Sequence, residues 1–83
     1  MTPRDFRAAR IECGLSQADW AYALGYEPAK RIAAATHICG VEKGRRLLTP
    51  QVARLAEMFW RHGIPDGWAA APDKQRGKEH DHR

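Results

Sequence analysis

The sequence predicts an all-α fold, a small four- to five-helix bundle followed by a disordered C-terminal tail. Three observations lead there. Helix start signals recur: Thr2-Pro3, Ser16 and Thr49-Pro50 each place a capping hydroxyl at the head of an apolar-periodic stretch. Glycines stand where those stretches stop, at Gly14, Gly25, Gly44 and Gly63. Between them the apolar residues recur at helical spacing rather than in alternation. With 83 residues there is room for one core, and residues 1–70 are taken as one domain with 71–83 as the tail. A hydrophobic fraction of 43% with three tryptophans allows a compact but thin core, since alanine supplies much of that fraction.

In the first helix Thr2 is the N-cap, Pro3 sits where a missing N–H costs nothing, and Asp5 complements the dipole. Phe6, Ala9 and Cys13 face inward, with Arg10 just beside that stripe. A second helix opens at once with Ser16 as cap and Asp19 three residues later, an acidic form of the capping box. Trp20, Ala21 and Leu24 form its inner face and Gly25 stops it after eight or nine residues. A short turn and a third helix then make a helix-turn-helix arrangement. The third helix is expected from about Pro28 to Val41, with Ala34, Ile38 and Val41 as its core stripe and Ala33, Thr36, His37 and Gly40 outside. Gly40 inside a helix costs about 1 kcal/mol relative to alanine, so fraying or tightening is expected there. Arg45-Arg46-Leu47-Leu48 is a basic loop, and Val52, Leu55, Ala56 and Phe59 give the fourth helix a clean apolar face. Ile64-Pro65-Asp66-Gly67-Trp68 is a turn able to fold back onto the core, and beyond Ala71 nothing remains to bury.

The formal charge is +4 and the pI about 9.5, which favours an anionic partner. Lys30, Arg31, Lys43, Arg45 and Arg46 outweigh Glu27 and Glu42 between Gly25 and Arg46, so this segment holds most of the net charge. Cys13 and Cys39 lack metal-ligand spacing and are read as reduced thiols. The charged N-terminus argues against a signal peptide, and no apolar run approaches the ~18 residues of a membrane span. A soluble, cytoplasmic, nucleoid-associated protein is expected. Catalysis has little support: Ser16 is the only serine, neither cysteine has a basic neighbour, and no phosphate-cradling glycine loop occurs. No enzyme activity, metal or cofactor is expected, and Glu79-His80-Asp81-His82 in the tail is read as an adventitious chelator.

The ordered set Arg7-Ala8-Ala9-Arg10-Ile11-Glu12-Cys13-Gly14-Leu15-Ser16-Gln17, Ala21, Leu24-Gly25, Ile38 and Glu42-Lys43-Gly44-Arg45-Arg46 resembles the phage-repressor-type (Xre-like) helix-turn-helix family. The resemblance covers residues 4–62. It implies sequence-specific binding of double-stranded DNA by a repressor-like regulator that reads the major groove with the helix in 28–41. It further implies phosphate contacts from Ser16 and Gln17 at the head of the second helix, where free N–H groups and the dipole attract an anion. Arg10 and Glu42 are implied as a structural ion pair. Aligned back from Glu42, the base-reading positions fall on Ala35, Thr36, His37 and Gly40, which are sparse in hydrogen-bonding groups. Lys43, Arg45 and Arg46 follow as phosphate ligands.

One departure is large. The family spaces its glycine and glutamate by about ten positions, whereas Gly25 and Glu42 stand seventeen apart, a surplus of almost two helical turns. The surplus either lengthens the third helix or forms a loop, and it brings Lys30 and Arg31 as further base contacts. Trp20, where the family prefers leucine, is expected to be a core adjustment. A homodimer through the fourth helix and the Ile64–Trp68 segment is expected, because one module contacts only a half-site. The alternative is an antitoxin or adaptor that mainly binds a protein partner, with Trp60, Ile64 and Trp68 as its apolar patch. The same three residues would serve equally in the dimer interface or in closing the core.

Overall fold

The computed structural model describes residues 1–26 and 31–68, with Arg31 described by its backbone alone. These residues form four helices and no strand: α1 (Pro3–Glu12), α2 (Gln17–Ala23), α3 (Arg31–Glu42) and α4 (Pro50–His62). The expected start of the third helix at Pro28, the Lys30 contact, the Arg31 side chain and the tail 71–83 lie outside the described residues.

Each described start is a side-chain cap. Thr2 Oγ1 accepts from the Asp5 N–H at 3.1 Å while Asp5 Oδ2 accepts from the Thr2 N–H at 3.2 Å, a reciprocal box. Ser16 Oγ accepts from the Asp19 N–H at 3.1 Å, and Thr49 Oγ1 from the Val52 N–H at 3.4 Å. The helix ends are equally local. At Gly44, φ is +77°, and the Gly44 N–H donates to Val41 O while the Arg45 N–H reaches Gly40 O at 2.8 Å. That crossed pair of bonds closes the last turn of α3 and needs a left-handed residue that only glycine adopts cheaply. The same pair ends α1 at Gly14 and α2 at Gly25.

The core is built around Trp20, on α2. Its ring lies 5.7 Å from that of Phe6 on α1 and 6.1 Å from that of Phe59 on α4, and all three side chains are fully buried. Ala9, Ala21, Ala23, Leu24, Ala34, Ile38, Val41 and Ala56 complete the buried apolar set, and Asp19 is buried as well. The alanines let α1 approach α4 and α2 approach α3. Trp20 therefore does more than adjust the core, because the other aromatic rings are arranged about it. The indole N–H has no hydrogen-bond partner, which costs about 1–3 kcal/mol against the burial of so large an apolar surface.

α2 packs against α3, and α1 packs against both α3 and α4. Beyond Gly63 the chain folds back: Ile64 is half-buried against the core and the Trp68 ring meets Phe59 edge-on at 6.0 Å. Trp60 is also half-buried, and its indole N–H donates to Glu12 Oε1 at 2.9 Å. Trp60 and Ile64 thus help close the core, while Trp68 keeps 47% of its surface exposed.

Candidate nucleic-acid interface

The inner side of α3 is decided by Ala34, Ile38 and Val41, spaced i, i+4, i+7 and buried against the core. Helical geometry then fixes the opposite side. Ile32, Thr36, Cys39 with Gly40, and Lys43 follow one another on it at i, i+4, i+7/8 and i+11. Ile32 is 82% exposed, and Ala33, Thr36 and Lys43 are exposed as well. α3 is already helical at Arg31, and Ile32 stands in its first turn. The helix also runs one residue past the expected Val41, to Glu42.

A largely covered polar cluster holds the C-terminal end of α3. Arg10 Nε donates to Glu42 Oε2 at 2.6 Å and Arg10 Nη2 to Glu42 Oε1 at 3.3 Å, a two-pronged pairing. The Arg10 and Glu42 side chains are 13% and 4% exposed. Arg10 Nη1 donates to Leu15 O at 3.0 Å, so one guanidinium ties α1, the turn before α2, and α3 together. Gln17 Nε2 adds a fourth strut, donating to Glu42 Oε1 at 3.2 Å.

Several residues expected at the surface are engaged otherwise. Ser16 and Gln17, expected as phosphate ligands, both hold side-chain bonds: the exposed Ser16 Oγ accepts as a cap, which leaves its O–H able to donate, and the Gln17 amide donates to Glu42. Any anion bound there would meet the backbone N–H groups at the start of α2. Of the expected base readers, Ala35 is half-buried on the flank of α3. His37, also half-buried, packs against Tyr26 with ring centroids 4.9 Å apart and the ring planes tilted by 52°. Gly40 is not an open contact, because the stem of Arg46 lies across it: a Cβ at position 40 would meet Arg46 Cγ and Cδ at 3.0 Å. Thr36 does face outward, with its hydroxyl donating to Ile32 O at 2.8 Å in its own helix.

Lys43, Arg45 and Arg46 are all exposed directly after α3. The Gly44 turn and the bonds from the Arg45 and Arg46 N–H groups to Gly40 O set the course of this loop. Ile32 and the Arg46–Gly40 packing escape sequence reasoning for different reasons. Ile32 could have been found by carrying the outer stripe of Thr36 and Gly40 one turn backward. A contact across a loop leaves no periodic signal.

Burial raises the Tyr26 hydroxyl above its ordinary pKa, so the ring beside His37 is a neutral phenol at neutral pH. Burial likewise raises the Cys13 thiol, with the adjacent Glu12 carboxylate adding to the effect. Among the described residues there is no group of three or more His, Cys, Asp or Glu that could hold a metal ion. No described helix is long and apolar enough to cross a membrane.

Comparison with protein-family models, curated proteins and solved structures finds no match to this chain. What the molecule does has to be read from its own surface.

Proposed function

We propose that this chain is a sequence-specific double-stranded DNA-binding module of the phage-repressor helix-turn-helix type, acting as a repressor-like transcriptional regulator. The observation that carries the reading is the outer stripe of α3. It runs outward from a buried inner stripe, is braced at its C-terminal end by Arg10 and Glu42, and leads into exposed Lys43, Arg45 and Arg46. A helix supported on one side and basic at its exit suits the major groove, whose width admits one α-helix. The cations after it would neutralise phosphates and make affinity fall steeply with salt. Ile32 and Thr36 are the candidate groove contacts on the N-terminal half of α3, and Lys30 and Arg31 are further candidates from the sequence alone.

A homodimer would double the contact and match a two-fold operator. Its proposed surface is α4 with Ile64–Trp68. There Met58, 47% exposed, leaves apolar area beside Arg54, Glu57 and Arg61, and Trp68, against Phe59, is 47% exposed as well. That same area favours the second reading, an antitoxin or adaptor that binds a protein through this face and DNA through α3.

Footprinting and gel-shift titration on the DNA upstream of the gene test the proposal. A protected site that survives competitor DNA is expected. Arg45→Ala should weaken binding to all sequences and reduce the salt slope by about one, whereas Thr36→Ala should change sequence preference. If no duplex from the genomic neighbourhood is bound better than random sequence, the regulator reading fails. Stoichiometric complex formation with the product of an adjacent toxin-like gene would then favour the second reading.

A further inference from the structure

We propose that Arg46 reads a base, taking the O6 and N7 edge of a guanine in the major groove from a seat on α3 made by Gly40; this rests on the DNA-binding reading above. Glycine is a poor residue for the interior of a helix, and Gly40 lies in the last turns of α3. Its use is visible in what a side chain there would meet. A Cβ would stand 3.0 Å from Arg46 Cγ and Cδ and 3.2 Å from Nε, so the missing methyl is the notch in which the arginine stem lies. The backbone seats it too. The Arg45 and Arg46 N–H groups both reach Gly40 O, at 2.8 and 3.3 Å, folding the loop after Gly44 back over the helix.

Position 40 belongs to the outer stripe of α3, one turn beyond Thr36. Otherwise that stripe is poor in donors. Ile32 and Ala33 are apolar, the Thr36 hydroxyl donates to its own helix, and Cys39 is half-buried. Arg46 therefore lays a guanidinium on a stripe that is otherwise poor in donors among the described residues. Among the described residues no carboxylate pairs with it and no hydrogen bond engages its guanidinium. A stem already held in place loses less rotamer freedom on binding than a free surface arginine does. Two parallel N–H donors match the O6 and N7 acceptors of guanine, the commonest specific contact of arginine in the groove. Arg45, next to it, has no such seat and acts on phosphate.

The test uses the full-length chain. A 20-base-pair duplex is selected from a randomised pool by the wild-type protein, and its guanines are replaced one at a time by 7-deazaguanine, which lacks the N7 acceptor. The wild type should lose affinity about tenfold at one guanine. Arg46→Ala should bind the parent and substituted duplexes equally, and Arg46→Lys should recover little of the discrimination. Arg45→Ala should keep the full sensitivity while binding all duplexes less well. Gly40→Ala, with helix content unchanged by circular dichroism, should blunt the discrimination by displacing the stem. If Arg46→Ala loses affinity equally on selected and scrambled duplexes and retains the 7-deazaguanine effect, Arg46 is a phosphate ligand and the proposal is overturned while DNA binding stands. If the wild type selects no sequence from the pool, both fall.

Discussion

Removing the Arg10 guanidinium should be the most damaging single change outside the apolar core. Glu42 is 4% exposed in its side chain and pairs with Arg10 at 2.6 Å, so the substitution Arg10→Ala leaves a carboxylate beneath the surface with only the Gln17 amide, 3.2 Å away, to oppose its charge. It also strips Leu15 O of its donor. Breaking a buried pair by removing one partner costs about 3–5 kcal/mol, against less than about 1 kcal/mol for an exposed pair. The remaining Gln17 bond places this case near the lower figure, about 3 kcal/mol. For a domain whose whole stability is on the order of 5–10 kcal/mol, that lowers the melting temperature by at least about 12 °C. Urea unfolding followed by tryptophan fluorescence measures it directly, since Trp20 moves from full burial to water. Glu42→Gln alone should cost less than Arg10→Ala. The double replacement Arg10→Met with Glu42→Leu should regain much of the loss, because the desolvation penalty disappears along with the pair. A cost below about 1 kcal/mol for Arg10→Ala would refute the reasoning, and so would a double variant no more stable than either single one.

Other changes follow from the packing and the caps. Ile38→Ala removes a fully buried side chain between α3 and the core and should cost about 2–5 kcal/mol in the same urea assay. Thr49→Ala deletes the hydroxyl that receives the Val52 N–H at the head of α4 and should cost about 1 kcal/mol. Cys13 has a raised thiol pKa, from burial and then from the Glu12 charge, so less of it is thiolate at pH 8 than of an ordinary thiol. Iodoacetamide followed by peptide mapping should therefore modify it more slowly than free cysteine at pH 8, with the rate rising as pH increases. Its contribution to stability has a fixed sign. The contribution is full below the unfolded thiol's pKa and declines as pH rises through the raised folded value. Modification in native buffer at the free-cysteine rate would contradict the burial.

The glutamine at position 17 shows where sequence reasoning stops. Its place at the start of α2 is readable from Ser16 and Gly14, but its amide had two possible partners, a phosphate outside or Glu42 within. Only the packing of α3 against α2 brings a carboxylate within 3.2 Å of it. His37 is similar: a polar residue on the flank of a helix has no mark in the chain to say that the Tyr26 ring will pack against it.

What the sequence by itself determined is an all-helical chain, the caps of α1, α2 and α4, the glycine stops and the inward stripes of Phe6–Ala9, Ala34–Ile38–Val41 and Ala56–Phe59. Those features depend on neighbours within about four residues, where capping chemistry and helical periodicity act. The tertiary structure decided that Trp20 would be the hub of three rings, that Gln17 would turn to Glu42, and that Arg46 would lie across Gly40. Each of these is a choice of side-chain direction with more than one partner open to it locally. The choice is made only when elements distant in the chain close on the same core and leave room for one arrangement.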